Sequence, residues 1–516
     1  MDGTIEVFRD NCVLSFDGKQ EYFSCGNNSG SGKHVCLRLG DVLALKDHVK
    51  AGTLKSHLVL HYVVQGKGKV LRTKSFIITG EADQHLRLKE AVDVILNSFH
   101  RPKRLVVFVN PNSGHRKAVN IFHNVVEPLF KLCDISLKVV ETKRPGQPIE
   151  LLENYDLRLM DGLVAIGGDG MFSECMNGLL LRLQKDAKVD YNNPDATLSA
   201  STLPIGIIPA GSGNMLVQYL HGTIDVETAV IKIILGDHLL ANAVSIHQGR
   251  ALSSYAGLIV DFGLCGDMMK DCEKFRWLGP KRYKIVPLGT ILKRKSVYVE
   301  VEFIPEEPHK VKATHKSRKF ARQMSLPASR YQFEKAVLRL NSTPEFAEDQ
   351  KCWLKETGHV YGIDSYVVTQ KEKDGNLVPY FGDGALHVWL TDKCSFSSHV
   401  SQLSLLQQQK PGCWDFKFIR EIRCRGYRVK LPCSPYYIDD CGEKKLKKPL
   451  YINCDGEAMP VEYPEFDVCR VLSFVYSESC LVTMILWCFF CISLASIVFL
   501  MATHTIKILI QVDTDS

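Results

Sequence analysis

Three turns in this chain set glycine beside short polar side chains: NPNSGHRK from Asn110, GGDG from Gly167 and PAGSGN from Pro209. Each follows an apolar run, and glycine lets backbone N–H groups approach a ligand where a Cβ would intrude. One such turn is weak evidence; three in one layer describe a nucleotide site built from backbone donors and short side chains. The chain has no G-x-G-x-x-G and no Walker lysine at these turns. GNNSGSGK, from Gly26, imitates a phosphate loop, but its first glycine is one position off, His34 replaces the magnesium-binding hydroxyl, and no helical pattern follows.

Within GGDG stands a lone acid, Asp169. Phosphate would be repelled there unless the carboxylate held a metal ion or accepted a proton from an attacking hydroxyl; an acid capping the next helix is the other reading. A second acidic turn, NCDGE at Asn453 to Glu457, places Asp455 and Glu457 around Gly456, and also reads as a solvated turn.

The elements that must carry these turns show in the hydrophobic period. Leu163 to Ile166 reads as a buried strand, and Phe172, Met176, Leu179, Leu180 and Leu183 then recur at helical spacing. From Arg104, buried strands (LVVFVNP, SLKVVET, GLVAIGG, PIGIIPAG) alternate with helices, one beginning near Lys117. This predicts a parallel α/β layer with ligands at the carboxyl ends of its strands. Beyond about residue 240 the runs lengthen and alternate (SVYVEVEFI, AVLRLNS, LHVWLTD, GYRVKLP, PLYINCDGE), predicting a mainly antiparallel lobe. Residues 1–99 read as a separate small domain of short strands closed by a helix near Asp83 to Phe99. Leu88, Val92, Ile95, Leu96 and Phe99 fall on one side of that helix, a pattern that suits a pleckstrin-homology-like sandwich. PHKVKATHKSRKFARQMSLPASR reads as an exposed basic insertion near 305–330. The expected organisation is therefore 1–99, a nucleotide-binding lobe at 100–240, a β-rich lobe at 241–476 and an apolar segment at 480–502.

That last segment, Cys480 to Ala502, runs 23 residues without a charge, enough to cross about 30 Å of hydrocarbon; a transmembrane anchor is expected, with a buried core helix as the alternative. A net charge of +7 over 516 residues, without a dense basic block, does not point to nucleic acid, though it suits an anionic membrane surface. The 18 cysteines are scattered and read as reduced thiols. Cys424, Cys433 and Cys441 are the tightest late group, a zinc site being the lesser reading.

Taken in order, NP, GGDGMFSE, PAGSGN, KDCEKFRWLG and CDGE resemble the diacylglycerol-kinase catalytic superfamily. Within it they are most similar to the ceramide kinase family, with sphingosine kinases next, over about residues 100–476. The N-terminal domain resembles that family's pleckstrin-homology module more weakly. The resemblance implies a two-lobed kinase fold, α/β then antiparallel β. It also implies transfer of the ATP γ-phosphate to the primary hydroxyl of ceramide, with ATP and Mg²⁺ as cofactors; sphingosine or diacylglycerol kinase activity, or a silent lipid-binding relative, are the alternatives. By motif position it implies Asp169 as proton acceptor, with Asp455 or Glu457 in reserve. Nucleotide contacts would come from Asn110, Asn112, Thr142, Gly167, Gly168, Gly170, Glu174, Ser212, Gly213, Asn214, Arg276, Arg282, Asp455, Gly456 and Glu457. Asp267 and Met269 would face the lipid: sphingosine kinases carry an aspartate for the substrate amine where Met269 stands, and an acylated nitrogen has no charge to pair. Metal ligands are not assigned.

The resemblance further implies a cytosol-facing protein on a Golgi, endoplasmic-reticulum or plasma membrane, with phosphoinositide a candidate partner of residues 1–99. The chain departs from the family in four places. Gly114 is the lone glycine of the first turn, His387 replaces an acid at a structural cation site, Arg87 stands where the module buries tryptophan, and the apolar tail is not typical.

Overall fold

The computed structural model describes residues 4–275, 295–305, 353–407, 412–477 and 506–511, with breaks at several N-terminal turns, at single positions and at 372–376 and 380–385; residues 277, 278, 282 and 286 are also described. AVLRLNS, the basic insertion, Arg276 and the apolar segment 480–502 lie outside the described residues. Among the described residues no helix is long and apolar enough to cross a membrane.

Four parallel strands lie in the order Ser136–Glu141, Arg104–Val109, Gly162–Gly167, Pro204–Pro209. Their side chains alternate between two packed faces, which is why the strands read as continuous apolar runs. Val106, Phe108, Leu163, Ala165, Ile205 and Ile207 pack on helix Asp169–Asp186. Leu105, Val107, Val109, Val164, Ile166 and Ile208 pack on the helical run at 118–132 and on helix Val226–Leu235. The strand order reverses between Arg104–Val109 and Gly162–Gly167, and ligands of open α/β sheets sit at such a reversal.

The second lobe continues this sheet. Strand Glu465–Ser477 pairs in parallel with Pro204–Pro209 through Pro204 opposite Val475 and Ile205 opposite Tyr476. On its own lobe it pairs antiparallel with His238–Gln248 and with Ile419–Lys430. Fourteen strands thus form one sheet through both lobes, and a single apolar core runs from Phe172 and Leu180 to Phe262, Val301 and Phe466.

The N-terminal residues form an eight-stranded sheet in which Ile506–Gln511 lies between Thr4–Arg9 and Leu71–Gly80. Helix Ala82–Ser98 closes it, with Leu88 and Val92 buried against Leu45, Leu58, Leu60 and Ile78. Arg87 is on the outer face, paired with Asp83 at 2.9 Å. The sheet docks on the start of helix Val226–Leu235. Arg72 donates to both carboxylate oxygens of Asp225 at 2.6 and 2.9 Å, Thr73 N–H to Glu227 at 2.7 Å and Leu71 N–H to Thr228 Oγ1 at 2.9 Å. A cavity of about 230 Å³, lined by Leu43, Lys46, Arg101, Cys133 and Ile234, lies at the amino ends of the parallel strands, opposite the glycine turns.

Candidate active site

The three glycine turns meet. Each follows the carboxyl end of its strand, and adjacent turns are tied by backbone bonds: Asn110 N–H to Ile166 O (3.1 Å), Ala210 and Gly211 N–H to Gly167 O (2.8 and 3.0 Å). Two glycines are required by the approach. A Cβ on Gly211 would stand 2.4 Å from Gly168 Cα, and one on Gly114, at φ +51°, would stand 2.5 Å from the Ala210 carbonyl oxygen. Neither residue was among the expected contacts, although both lie in the quoted turns.

Asp169 opens helix Asp169–Asp186, but its carboxylate does not cap that helix. It crosses to the third turn, where Oδ2 accepts from Met215 N–H and Oδ1 from Leu216 N–H, both at 3.0 Å, capping helix Met215–His221. Burial raises its pKa, opposed by N–H donors from Leu216, Met215 and Asn214. Asn214, left-handed at φ 66°, seals the same turn by accepting from Gly211 N–H and donating to Gly211 O, both at 3.0 Å. Ser212 is half-buried and Gly213 exposed on this turn, with Asp169 Oδ2 3.1 Å from where a Gly213 Cβ would lie.

In the first turn, Asn110 Oδ1 accepts from Asn112 N–H at 3.0 Å, and Asn112 is exposed. Thr142 is buried, and its hydroxyl donates to Val109 O at 3.3 Å, so this side chain braces two strand ends. Glu174, one helical turn beyond Asp169, accepts from Gly146 N–H at 2.9 Å. Its pKa is raised first by burial and then by Glu457.

Glu457 arrives from the second lobe. Strands Leu450–Cys454 and Glu457–Val461 form a hairpin whose two loop residues, Asp455 (φ 50°) and Gly456 (φ 92°), are both left-handed, the conformation a two-residue hairpin turn needs. This tip reaches the GGDG turn, where Glu457 Oε1 lies 3.1 Å from where a Gly170 Cβ would be. Asp455 is fully enclosed and accepts from Gly257, Leu258 and Ile259 N–H at 2.8, 2.8 and 3.0 Å. Burial pushes its pKa up to about 6 against those donors, with Asp169 adding to the rise. The solvated-turn reading of NCDGE therefore holds for Gly456 and Glu457, which are exposed, but not for Asp455, whose carboxylate pins residues 257–259.

Gly263, at φ +85°, turns strand Ile259–Gly263 into helix Leu264–Lys274. Gly266 packs so closely on the hairpin that a Cβ would stand 2.0 Å from Tyr451 O. Glu273 accepts from Ala458 N–H at 3.2 Å, and the Lys270 ammonium lies 3.8 Å above the Tyr451 ring. Asp267 is half-buried in the first turn of this helix, and Met269 is buried at 8 % exposure. Arg282 is half-buried within electrostatic reach of Cys272. His387 is buried, stacked on Trp389, with Nδ1 3.9 Å from Glu421.

One structural residue escaped the sequence. Asn177, on the apolar face of helix Asp169–Asp186, donates to Tyr255 O (2.9 Å) and accepts from Tyr255 N–H (2.8 Å), joining the lobes beside the site. Its only trace was a polar residue between Met176 and Leu179.

The site thus brings three glycine turns and carboxylates from both lobes to one corner, an arrangement that suits the alignment and charge control of phosphoryl transfer. The profile of the diacylglycerol kinase catalytic domain matches residues 104–246. A ceramide kinase of Homo sapiens is 33% identical over 397 residues, 73% of each chain. A sphingosine kinase 1 of Arabidopsis thaliana is 36% identical over 374 residues, 70% of this chain and 73% of its own. A crystal structure of a diacylglycerol kinase from Bacillus anthracis str. Sterne overlays on 73% of this chain and 97% of that one, with TM-score 0.44 and 10% identity.

Proposed function

The chain belongs to the ceramide kinase family, and from that premise we propose that it transfers the γ-phosphoryl group of ATP to the primary hydroxyl of ceramide, giving ceramide 1-phosphate. The observation that carries this reading is the meeting of Gly114, Gly168 and Gly211 at the ends of parallel strands, with Asp169 and Glu457 beside them. The glycine turns let backbone N–H groups close on the phosphates and hold the chain of phosphorus atoms in line with the hydroxyl.

Asp169 accepts the hydroxyl proton in this mechanism. Its raised pKa suits a base better than an ordinary carboxylate, and the Met215 and Leu216 N–H groups fix its orientation. Asp455 is committed to three backbone donors and acts by holding the loop at 257–259 under the hairpin tip. Glu457 would be an oxygen donor at this corner for Mg²⁺ carried by the phosphates, which would neutralise developing charge. Asn110, Asn112, Ser212, Gly213 and Asn214 line the nucleotide in this reading, and Glu174 and Thr142 brace the turns.

Met269 favours ceramide over sphingosine. The apolar side chain sits where an unpaired buried carboxylate would be costly once the substrate nitrogen is acylated. The uncharged run at 480–502 attaches the protein to a membrane with the site facing the cytosol, returning to the side it entered from because Ile506–Gln511 pairs within the N-terminal sheet, and the N-terminal domain, read as pleckstrin-homology-like, contacts phosphoinositide. Both proposals rest on sequence: an uncharged run of 23 residues and the strand-then-helix order of residues 1–99.

The test is ³²P transfer from labelled ATP to ceramide, sphingosine and diacylglycerol in mixed micelles. Labelled ceramide in excess over the other two lipids is expected. Labelled sphingosine alone would overturn the assignment of Met269, and no labelled lipid with nucleotide still bound would leave a silent lipid-binding relative.

A further inference from the structure

Behind the hairpin tip, four strands place polar residues in one row. Asp364 of Leu354–Tyr366 lies directly opposite Asp261 of Ile259–Gly263, and Asp261 lies opposite Asn453 of Leu450–Cys454. On the far side Asp364 faces Trp389. Directly opposed residues in an antiparallel pair share a face with their Cβ atoms about 5 Å apart, and two like charges there repel. These two acids are also enclosed, Asp261 at 3 % and Asp364 at 7 % exposure.

Cys265 completes the cluster. It stands four residues beyond Asp261, in the first turn of helix Leu264–Lys274, and the left-handed corner at Gly263 folds it back over the strand end. One carboxylate oxygen from each acid and the Cys265 Sγ all lie within 4.8 Å of one another. Asn453 donates to Asp261 Oδ2 at 2.8 Å and is itself held by Gly456 N–H. The Oδ1 atoms of Asp261 and Asp364 are buried and have no hydrogen-bond partner.

Two facing buried acids persist only if something neutralises them, either protons or a cation. We propose that Asp261, Asp364 and Cys265 bind a divalent cation of the zinc class at the junction of strand and helix. A thiolate with two carboxylates gives the mixed sulfur and oxygen set that favours zinc over magnesium or calcium. Asn453 orients Asp261 from behind, as outer partners of metal ligands do. Burial and the facing Asp364 raise Asp261, burial pushes Asp364 up to about 7, and burial raises Cys265. Binding therefore releases the protons these groups hold, and affinity rises with pH. The cation fixes the start of the helix that bears Asp267 and Met269. The proposal stands independently of the lipid-kinase reading.

The test uses the full chain, stripped with chelator and titrated with Co²⁺. About one cobalt per chain is expected, with a thiolate-to-cobalt charge-transfer band and tetrahedral visible bands, all displaced by Zn²⁺. Cys265→Ser should abolish the charge-transfer band, and Asp364→Asn should weaken cobalt binding by about tenfold or more, in protein whose circular dichroism matches the wild type. Absence of the band in wild type, or its survival in Cys265→Ser, overturns the site. A wild-type melting temperature indifferent to Zn²⁺ while Asp364→Asn raises it would show instead that the acids share protons.

Discussion

Asp169 has two duties that pull on its chemistry in opposite directions. As a base it needs a raised pKa, which burial supplies; as a cap it accepts N–H groups that stabilise the charged form. Asp169→Asn should therefore lower kcat by about 10² or more and also cost about 1–3 kcal/mol, because an amide NH₂ would face the Met215 or Leu216 N–H. Rate assays with urea unfolding separate the effects: a stability loss with normal turnover of the folded fraction would reduce Asp169 to a cap. His221, at the other end of the same short helix, carries a pH signature. Burial, helped by Lys232, lowers its pKa to about 3 from 6.5. The folded protein keeps this ring neutral while the unfolded chain protonates it near 6.5. Its contribution is thus complete above pH 6.5 and is lost as pH falls from there toward 3. Between pH 7 and pH 5, wild type should lose about 2 kcal/mol more stability than His221→Gln. Equal losses would mean the ring is solvated.

At the scale of elements, the helix Asp169–Asp186 ties the lobes through the Asn177 amide as well as through its apolar face. Asn177→Leu leaves the Tyr255 N–H and carbonyl without their side-chain partner in the core, so chemical denaturation should show a loss of about 2–4 kcal/mol. A change under about 0.5 kcal/mol would show that water or a shifted strand replaces the amide. The strands and helices of the nucleotide-binding half were legible because their periods are local: Leu163 to Ile166 and Phe172 to Leu183 occupy the elements their spacing predicts. The glycine turns were legible for the same reason. The partners of Asp169 and Asp455 were not, since each carboxylate bonds backbone N–H groups far along the chain, and backbone donors leave no mark in a sequence. Asp261 and Asp364 are invisible as a pair for a related reason, being joined only by strand register.

Across the whole molecule the N-terminal sheet, the two lobes and the apolar segment must act on a substrate that lives in a bilayer. Replacing apolar residues of 480–502 with polar ones, which spares the paired strand Ile506–Gln511, should move the protein from vesicle pellet to supernatant in co-sedimentation. Any remaining binding should require phosphoinositide if residues 1–99 read that headgroup. Unchanged pelleting on neutral vesicles would refute both roles. Strand Glu465–Ser477 adds a mechanical consequence. It is laddered to both halves at once, so the halves cannot swing apart like jaws without tearing hydrogen bonds from its carboxyl end, where Val475 and Tyr476 pair with the first lobe. A bulky lipid must then be admitted over a frame whose two halves keep their spacing through turnover.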